Sequence, residues 1–265
     1  GARRAAHGHR RVREGFAARA SERRVHTDYL EATDALEYDS PYTNIIAWDE
    51  AAAILHYQSK RASAPNPGAV LLIDAGSSVH GYGSDLTRTY ANDRAHPVFR
   101  TMLDRMDTLQ RDLVDSVRPG GSYVDLQART HAGVAAILSE TGVLKTTAAD
   151  AVARGLTRPF FPHGVGHHLG LQVHDVGGRQ VDALGARREP PARDPYLRTT
   201  RDLEPRHVLT VEPGLSYIPM LPDPLRKSPD TAAVDWKLVD ALVPCGGIRI
   251  EDNILVTASG REDLT

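Results

Sequence analysis

Two aspartates, Asp74 and Asp85, stand close enough in the chain to share a cation. Asp74 ends one apolar segment, and Asp85 opens the next after a glycine-containing turn. If that turn is centred between Val79 and His80, the two aspartates lie directly opposite each other in a hairpin, with Cβ atoms about 5 Å apart. Like charges at that spacing repel unless a cation lies between them. The alternative is that Asp74 caps the turn while Asp85 pairs with Arg88.

A cluster of imidazoles lies further along the chain. Four histidines fall within twelve residues and are interleaved with glycines, namely His163, His167, His168 and His174. Glycines disfavour a helix, so we expect a loop or an irregular strand that brings the imidazoles to one place. An isolated histidine is usually a satisfied core or surface group, whereas a glycine-rich cluster is more typical of ligands or catalytic groups.

Two more carboxylates lie at the ends of apolar strands. Glu212 follows an apolar run and precedes a Pro-Gly break. Near the C-terminus, alternation with period two places Arg249 and Glu251 on one face of a strand. Taken singly, Glu212 could be a solvated strand end and the other two a simple ion pair.

Taken together, these residues have the composition of a two-metal site. Four carboxylates supply about four negative charges, which match two divalent cations. Oxygen-rich ligation with one imidazole and no thiolate suits Mn²⁺, Co²⁺ or Zn²⁺ in a catalytic site. Two cations roughly 3.5–4 Å apart can hold a hydroxide, because metal binding lowers the pKa of water towards about 7. The residues therefore predict a metal-dependent hydrolase.

The elements that must position these residues alternate irregularly. Apolar spacings of three and four predict a helix over Pro97–Val117, and Ser122 is a good N-cap for a second helix that ends at Gly142. Because the strands come in runs rather than in strict alternation with helices, we expect an α+β fold with an antiparallel or mixed sheet. The predicted strands are Thr43–Trp48, Ile54–Tyr57, Val70–Asp74, Asp85–Tyr90, Val208–Glu212 and Ile248–Val256.

Composition excludes several other classes of protein. The 265 residues are 41% apolar and 25% charged, which is typical of one ordinary globular domain spanning 1–265. A net charge of -2 gives no field to hold nucleic acid or an anionic membrane. Apolar runs such as Ala69–Ile73 are far shorter than the roughly 20 residues of a membrane span. The single cysteine, Cys245, forms no internal disulfide, so we expect a cytoplasmic protein.

The first residues are rich in arginine. Residues 1–24 contain eight arginines against two glutamates, and the chain begins with Gly1 rather than Met, so we expect an upstream portion in the native protein. Such a segment could be an organellar transit peptide or a nucleic-acid arm. The simpler interpretation is a solvated helix face that docks on the core through Val12 and Phe16.

The ordered set Asp74, Asp85, His167, Glu212 and Glu251 resembles the five metal ligands of the pita-bread metallopeptidases. This group includes methionine aminopeptidase, aminopeptidase P and prolidase, and the resemblance extends from about Tyr29 to Thr257. It is closest to the bacterial Xaa-Pro dipeptidase (prolidase) branch, in the stretches DAGSSVHGYGSDLTRTY, HGVGHHLGLQVHDVG, TVEPGLSYIP and GGIRIEDNILVT. The resemblance implies a curved, mostly antiparallel sheet covered by helices, and two divalent cations, with Mn²⁺ first among the candidates.

The resemblance also implies how the ligands divide. Asp85 and Glu251 would bridge both cations, Asp74 would complete one site, and His167 with Glu212 would complete the other. Glu212 would also carry the proton between the bridging water and the leaving nitrogen.

Further residues match the family's active site without matching its ligands. His56 matches the histidine that contacts substrate near the scissile carbonyl, where it can stabilise an oxyanion. His163 and His174 match non-ligand histidines of the site, with His174 also contacting substrate, and Arg249 matches the arginine beside the bridging glutamate.

The insertion between His174 and Glu212, like a second one from Pro219 to Pro244, is typical of the dipeptidase branch. A dipeptide substrate carries a free carboxylate one residue past the cut, so a fixed cation is needed there. Arg198 matches the family's position for that role. The alternative is that Arg198 is solvated, as loop arginines usually are, and the same insertion also contains Arg187, Arg188, Arg193 and Arg201.

The leading interpretation is hydrolysis of Xaa-Pro dipeptides by a hydroxide that bridges two divalent cations. The alternatives are aminopeptidase P-like removal of the first residue from longer peptides, a binding module that has lost catalysis, and a metal-free creatinase-like hydrolase. Organophosphorus ester hydrolysis is an expected side activity, because a metal-held hydroxide attacks phosphorus as well as carbon. The family's N-terminal domain lies outside this chain, and we expect the full-length protein to be a homodimer.

Overall fold

The computed structural model describes residues 1–265, which form seven helices and eight strands. The helices are α1 Ala2–Ala17, α2 Glu22–Ala32, α3 Pro97–Asp115, α4 Tyr123–Glu140, α5 Ala148–Ala153, α6 Asp223–Arg226 and α7 Trp236–Leu242. The strands are β1 Ile45–Trp48, β2 Val70–Asp74, β3 Thr87–Ala91, β4 Val208–Val211, β5 Gly214–Ser216, β6 Gly247–Arg249, β7 Asp252–Val256 and β8 Arg261–Asp263. None of these helices is long and apolar enough to cross a membrane.

Every strand pairing is antiparallel, which confirms the predicted α+β class. The strands form three small sheets, ordered β1-β2-β3, β4-β7-β8 and β5-β6. A single bridge between Thr87 and Glu251 joins the first sheet to the segment that separates β6 from β7. This bridge brings the two halves of the chain together at their strand ends.

The hairpin that carries the two aspartates has a different register from the one predicted. Asp74 pairs with Thr87, and the turn lies one residue later, centred between His80 and Gly81. Both turn residues have positive φ, +52° and +81°, the geometry of a two-residue type I′ turn, and glycine takes the second position at no steric cost. The prediction of directly opposed aspartates is therefore wrong. Asp85 is offset by two residues and remains on the face of Asp74, because side chains alternate with period two.

Two strand predictions fail for local reasons. No strand forms over Ile54–Tyr57, where a 3₁₀ turn over Asp49–Ala53 leads instead into an irregular loop. The Asp49 carboxylate accepts three backbone N–H groups at 2.7–3.0 Å, which fixes that turn in place of a strand. The predicted strand Ile248–Val256 is two strands, β6 and β7, because the strand breaks at Ile250 and Glu251 bridges to Thr87 of the first sheet.

Helices α3 and α4 confirm the helical predictions closely. The Ser122 hydroxyl accepts from the backbone N–H of Asp125 and caps α4, as predicted. Helix α4 ends at Glu140 ahead of Gly142, whose φ of +82° glycine adopts readily. Helix α3 ends at Asp115, two residues before the predicted end.

The first sheet is covered on both faces. One face packs against α3 and α4 in a cluster of 43 buried residues, and the other packs against α1 and α2 in a cluster of eight. Val12 and Phe16 dock α1 on this second cluster, as predicted, and Phe16 stacks on Trp48. From the same side, the Tyr29 hydroxyl donates a hydrogen bond to the carbonyl of Gly76. The Nε2 atom of His9 lies 3.1 Å from the carbonyl oxygen of Ala75. Helices α1 and α2 therefore hold the chain directly after Asp74.

Phe99 on α3 is fully buried in the larger cluster, so we expect Phe99→Ala to lower the free energy of unfolding by about 3–5 kcal/mol. Urea unfolding followed by circular dichroism measures the change. Leu184→Ala, at a side chain that is 97% exposed, is the control and should stay within about 0.5 kcal/mol of wild type. Equal losses in the two variants would contradict this packing.

Candidate metal centre

Three of the predicted ligands converge on one point. Asp85, His167 and Glu251 are buried, and each offers a ligand atom that lies within 4.8 Å of the other two. The His167 Nε2 atom lies 3.4 Å from a carboxylate oxygen of Asp85 and 3.6 Å from one of Glu212. Four residues that lie far apart in the sequence thus surround one small volume.

These residues lie where strands end, so their side chains are free of sheet packing. Asp74 ends β2, Asp85 precedes β3, Glu212 follows β4 and Glu251 lies between β6 and β7. His167 belongs to an irregular segment that runs beside β4, and its carbonyl accepts from the N–H of Thr210 at 2.9 Å.

Glycine is required next to His167 by close approach of the backbone. A Cβ added at Gly166 would lie 2.2 Å from the carbonyl oxygen of Thr210 and 2.3 Å from the hydroxyl of Tyr123. Gly166 thus lets an irregular segment pack directly against β4, which agrees with the predicted loop or irregular strand.

Asp74, the remaining predicted ligand, is connected to Glu251 through Arg249 and Thr87. The Arg249 guanidinium donates to Asp74 at 2.6 Å and to the Thr87 hydroxyl at 3.2 Å. That hydroxyl in turn donates to Glu251 at 2.6 Å. Arg249 therefore bonds to Asp74, whereas the sequence alternative was a pair with Glu251.

Tyr42 is part of this centre, although the sequence analysis missed it. Its hydroxyl lies 2.7 Å from an oxygen of Asp74 and 2.5 Å from one of Asp85, so its single proton is shared between two acceptors. Burial, followed by the charges of Asp74 and Asp85, raises the pKa of Tyr42 well above its ordinary value. Tyr42 lies in an irregular segment before β1, where neither spacing nor periodicity gave a signal.

The carboxylates of the centre hold more negative charge than the chain neutralises. Burial first, and then the charges of Asp85, Glu212 and Asp74, raises the pKa of Glu251 well above its usual range. Burial likewise raises the pKa of Asp74 to about 6 and of Glu212 to about 7, against the opposing charges of Arg249 and His167.

Asp85 is the exception among the four carboxylates. Burial opposes its charge, but the hydrogen bond from His167 and the charge of that ring outweigh burial and lower the pKa of Asp85. The same carboxylate, together with Glu212, raises the pKa of His167 above its ordinary value despite burial.

The donor set fits a divalent cation. The Oε1 atom of Glu251 is fully buried and has no hydrogen-bond partner, although an unpaired buried carboxylate oxygen is costly. It belongs to the same cluster as Asp85 and His167. A buried, unsatisfied oxygen surrounded by further carboxylates and one imidazole is the environment that a catalytic Mn²⁺, Co²⁺ or Zn²⁺ ion requires.

The predicted non-ligand histidines surround this cluster. The His174 ring packs edge-on against that of His167 at 4.4 Å, and the Nδ1 atom of His163 lies 3.9 Å from Glu212. Burial lowers the pKa of His163 to about 3 and that of His174 to about 4, so both are neutral near pH 7. His56 lies on the irregular loop after Ala53 and is exposed. The His168 ring packs on that of His207, with ring centroids 4.6 Å apart.

Arg198 lies in the same cavity as the histidines. This cavity of about 470 Å³ is lined by His167, His174 and Arg198 together with residues 175–180. Arg198 has no hydrogen bond or ion pair within the chain, whereas the other arginines of its loop pair with carboxylates, namely Arg179, Arg187, Arg188, Arg193 and Arg201. This difference separates Arg198 from its neighbours in a way that the sequence could not.

Because Glu251 has a raised pKa, its neutral form is favoured in the folded metal-free protein, and the stability it contributes is lost as pH rises above the unfolded value of 4.5. In EDTA we therefore expect Glu251→Gln to be more stable than wild type at pH 8, with an advantage that shrinks by up to about 1.4 kcal/mol per pH unit towards pH 5. Urea unfolding across this range measures it.

Added Mn²⁺ should reverse the order, because the cation binds the folded wild-type protein more tightly. The exposed Glu262→Gln is the control and should follow wild type under all conditions. A pH-independent difference between wild type and Glu251→Gln would contradict an uncompensated charge at Glu251.

Curated relatives match nearly the whole of this chain. The chain is 47% identical over 258 residues to an Xaa-Pro dipeptidase of Shewanella amazonensis, with 97% of this chain and 58% of the relative covered. It is 44% identical over 261 residues to an Xaa-Pro dipeptidase of Xanthomonas euvesicatoria, covering 98% of this chain and 59% of the relative. The chain thus spans less than two thirds of the length of these curated relatives.

Solved structures of Escherichia coli aminopeptidase P share the fold. The complex with the inhibitor Pro-Leu superposes with a TM-score of 0.78 at 29% identity, covering 100% of this chain and 53% of that one. A zinc-substituted form in complex with product gives 0.77 at 30% identity, covering 99% and 53%. This likeness confirms the predicted pita-bread fold. Since residues 1–258 also match its family profile, the chain belongs to metallopeptidase family M24.

Proposed function

We propose that the protein hydrolyses Xaa-Pro dipeptides with the help of two divalent cations, Mn²⁺ being the first candidate and Co²⁺ or Zn²⁺ the alternatives. The observation that carries this proposal is an unpaired guanidinium, Arg198, facing the cavity that also contains His167 of the buried carboxylate–imidazole cluster. A hydrolytic centre and a fixed cation for a substrate carboxylate then share one site.

The proposed ligands are those of the sequence analysis. Asp85 and Glu251 would hold both cations, Asp74 would hold one, and His167 with Glu212 would hold the other. When bound, the cations would acidify a water molecule and polarise the scissile carbonyl. Arg249 keeps Asp74 oriented through a direct hydrogen bond of 2.6 Å.

Glu212 is the proposed carrier of the proton. Its carboxylate lies 3.6 Å from the His167 Nε2 atom, at the edge of the proposed metal centre, where it could take a proton from water and return it to the departing proline nitrogen. The nearby His163 is neutral, and its Nδ1–H donates to the carbonyl of Gly164 at 2.8 Å. This assignment leaves the Nε2 atom of His163 free to accept a hydrogen bond from the substrate. His56 and His174 are the proposed contacts for the scissile carbonyl region.

Arg198 distinguishes the dipeptide proposal from its main alternative. A dipeptide ends in a carboxylate one residue beyond the cut, and a planar guanidinium pairs with it bidentately. A longer peptide continues past that point, so aminopeptidase P-like activity would leave Arg198 without its acceptor. Organophosphorus ester hydrolysis remains a side activity in this proposal, and a binding module without catalysis is disfavoured because all five proposed ligands are present.

Other properties of the whole protein are proposals of the same kind. We propose that residues 1–265 act as a single catalytic domain and that the full-length protein is a cytoplasmic homodimer. The relatives extend well beyond the aligned region, which is consistent with an additional domain.

Alanine at His56, His163 or His174 should lower turnover of an Xaa-Pro dipeptide at least tenfold while leaving about two metal ions per chain, because these rings contact substrate rather than metal. Metal content by plasma mass spectrometry and initial rates measure the two effects. His96→Ala, at the cap of α3 away from the centre, is the control and should retain both properties. Loss of one metal equivalent in His174→Ala would make His174 a ligand.

Arg198→Ala tests the dipeptide assignment. Charge-assisted bonds to a carboxylate are worth roughly 1.5–3 kcal/mol, so we expect kcat/KM for a free Xaa-Pro dipeptide to fall about ten- to hundredfold. Hydrolysis of the C-terminally amidated Xaa-Pro should change less than about twofold, because it has no carboxylate to hold.

The control is Arg188→Ala, since Arg188 already pairs with Asp202 at 2.9 Å. Equal losses on the free and amidated substrates would give Arg198 a structural role. Unchanged rates on both would exclude it as the carboxylate site.

A further inference from the structure

The segment that carries Arg198 is held firmly on both sides of it. We call residues 175–201, which follow His174, the arm. Within the arm, Leu197, Thr199 and Thr200 are buried, with at most 1% of their surface exposed. Arg198, which lies between them, is exposed. The backbone around Arg198 also lies directly against the histidine segment, since a Cβ at Gly164 would lie 3.1 Å from the Leu197 Cα atom.

One buried charge anchors this segment. Asp194 is the only carboxylate of the arm that is buried, with 8% of its surface exposed. It accepts from the Arg158 guanidinium at 2.7 Å, and the Nε2 atom of His131 lies 3.3 Å from the same oxygen. The Asp194 carbonyl then accepts from the N–H of Leu197 at 3.0 Å and closes the turn before Arg198. A buried carboxylate is costly unless it is paired, so this contact fixes where the arm can lie.

Helix α4 fixes both the arm and the segment that contains His163 and Val165. His131 lies on α4, one turn after Gln127. The side-chain amide of Gln127 accepts from the N–H of Val165 at 2.7 Å and donates to the carbonyl of His163 at 3.2 Å. The Val165 carbonyl accepts from the N–H of Glu212 at 2.8 Å. One face of α4 therefore fixes the proposed proton carrier and, through His131 and Asp194, the arm.

We propose that Asp194 is a positioning residue for substrate selectivity, which acts through Arg198 and never touches substrate. The inference rests on the proposed function, because it assumes that Arg198 holds the substrate carboxylate. Arg198 has no side-chain partner in the chain, so its placement depends on the backbone that Asp194 anchors. A displacement of about 1 Å is enough to weaken a bidentate contact substantially.

The test is Asp194→Asn in the metal-loaded protein, which keeps the shape of the side chain and removes its charge. We expect kcat/KM for the free Xaa-Pro dipeptide to fall about tenfold, mainly through KM, and that for the amidated substrate to change less than about twofold. In an Arg198→Ala background, Asp194→Asn should leave the ratio of the two substrates unchanged, because the contact it supports is already gone. Asp202→Asn, in an exposed pair with Arg188 just after the arm, is the matched control.

A second variant and a second readout guard against misfolding. Arg158→Gln removes the same contact from the other partner and should reproduce the selectivity loss, whereas Arg158→Lys should restore part of it. Hydrogen exchange of the amides at 196–201 should become faster in Asp194→Asn and Arg158→Gln, but not in Asp202→Asn.

Three results would overturn the inference: equal losses on both substrates, a further selectivity change in the Arg198→Ala background, or unchanged exchange at 196–201. If wild type hydrolyses neither substrate, the proposed function fails, and the exchange rates alone decide whether Asp194 anchors the arm.

Discussion

The crowding of four carboxylates into one buried volume is the constraint on which the rest of the structure depends. No single interaction in the chain neutralises them. Arg249 supplies one full positive charge beside Asp74, His167 supplies a partial one beside Asp85, and the Tyr42 hydroxyl lies between the two aspartates. The negative charge that remains unneutralised is at Glu251. Its Oε1 atom has no hydrogen-bond partner in the chain, so the centre suits a bound cation.

The architecture follows from the need to bring these groups together from distant parts of the chain. Each carboxylate stands at the end of a strand, where the backbone leaves its sheet and the side chain is released from packing. Because the antiparallel strands are short, strand ends that can carry a carboxylate recur at short intervals in the sequence. The bridge from Thr87 to Glu251 then joins sheets that are separated by more than a hundred residues. Helix α4 supports the segment that contains His163 and Val165 through the side-chain amide of Gln127.

Much of this could be predicted from sequence, because it depends on local patterns. Periodicity located α3 and α4, charged residues at the ends of apolar runs located Asp74 and Glu212, and alternation with period two located Glu251. The register of the hairpin could not be predicted, because a shift in the turn by one residue depends on which positions take positive φ. The Ile54–Tyr57 error has a similar origin, since the carboxylate of Asp49 makes distant backbone contacts that override local propensity. Tyr42 and Asp194 act through partners far away in sequence and carry no periodic signal.

The contacts of α1 and α2 with the residues after Asp74 determine which chimeras between relatives would keep the support of this aspartate intact. Tyr29 bonds the carbonyl of Gly76, so the first helices support the metal centre from the opposite face of the sheet. They pack with β2 as one unit, even though they contribute none of the proposed ligands. A chimera joined between Ala32 and Val70 would pair a foreign support with a native aspartate. Crossovers placed beyond β3 would keep the two together.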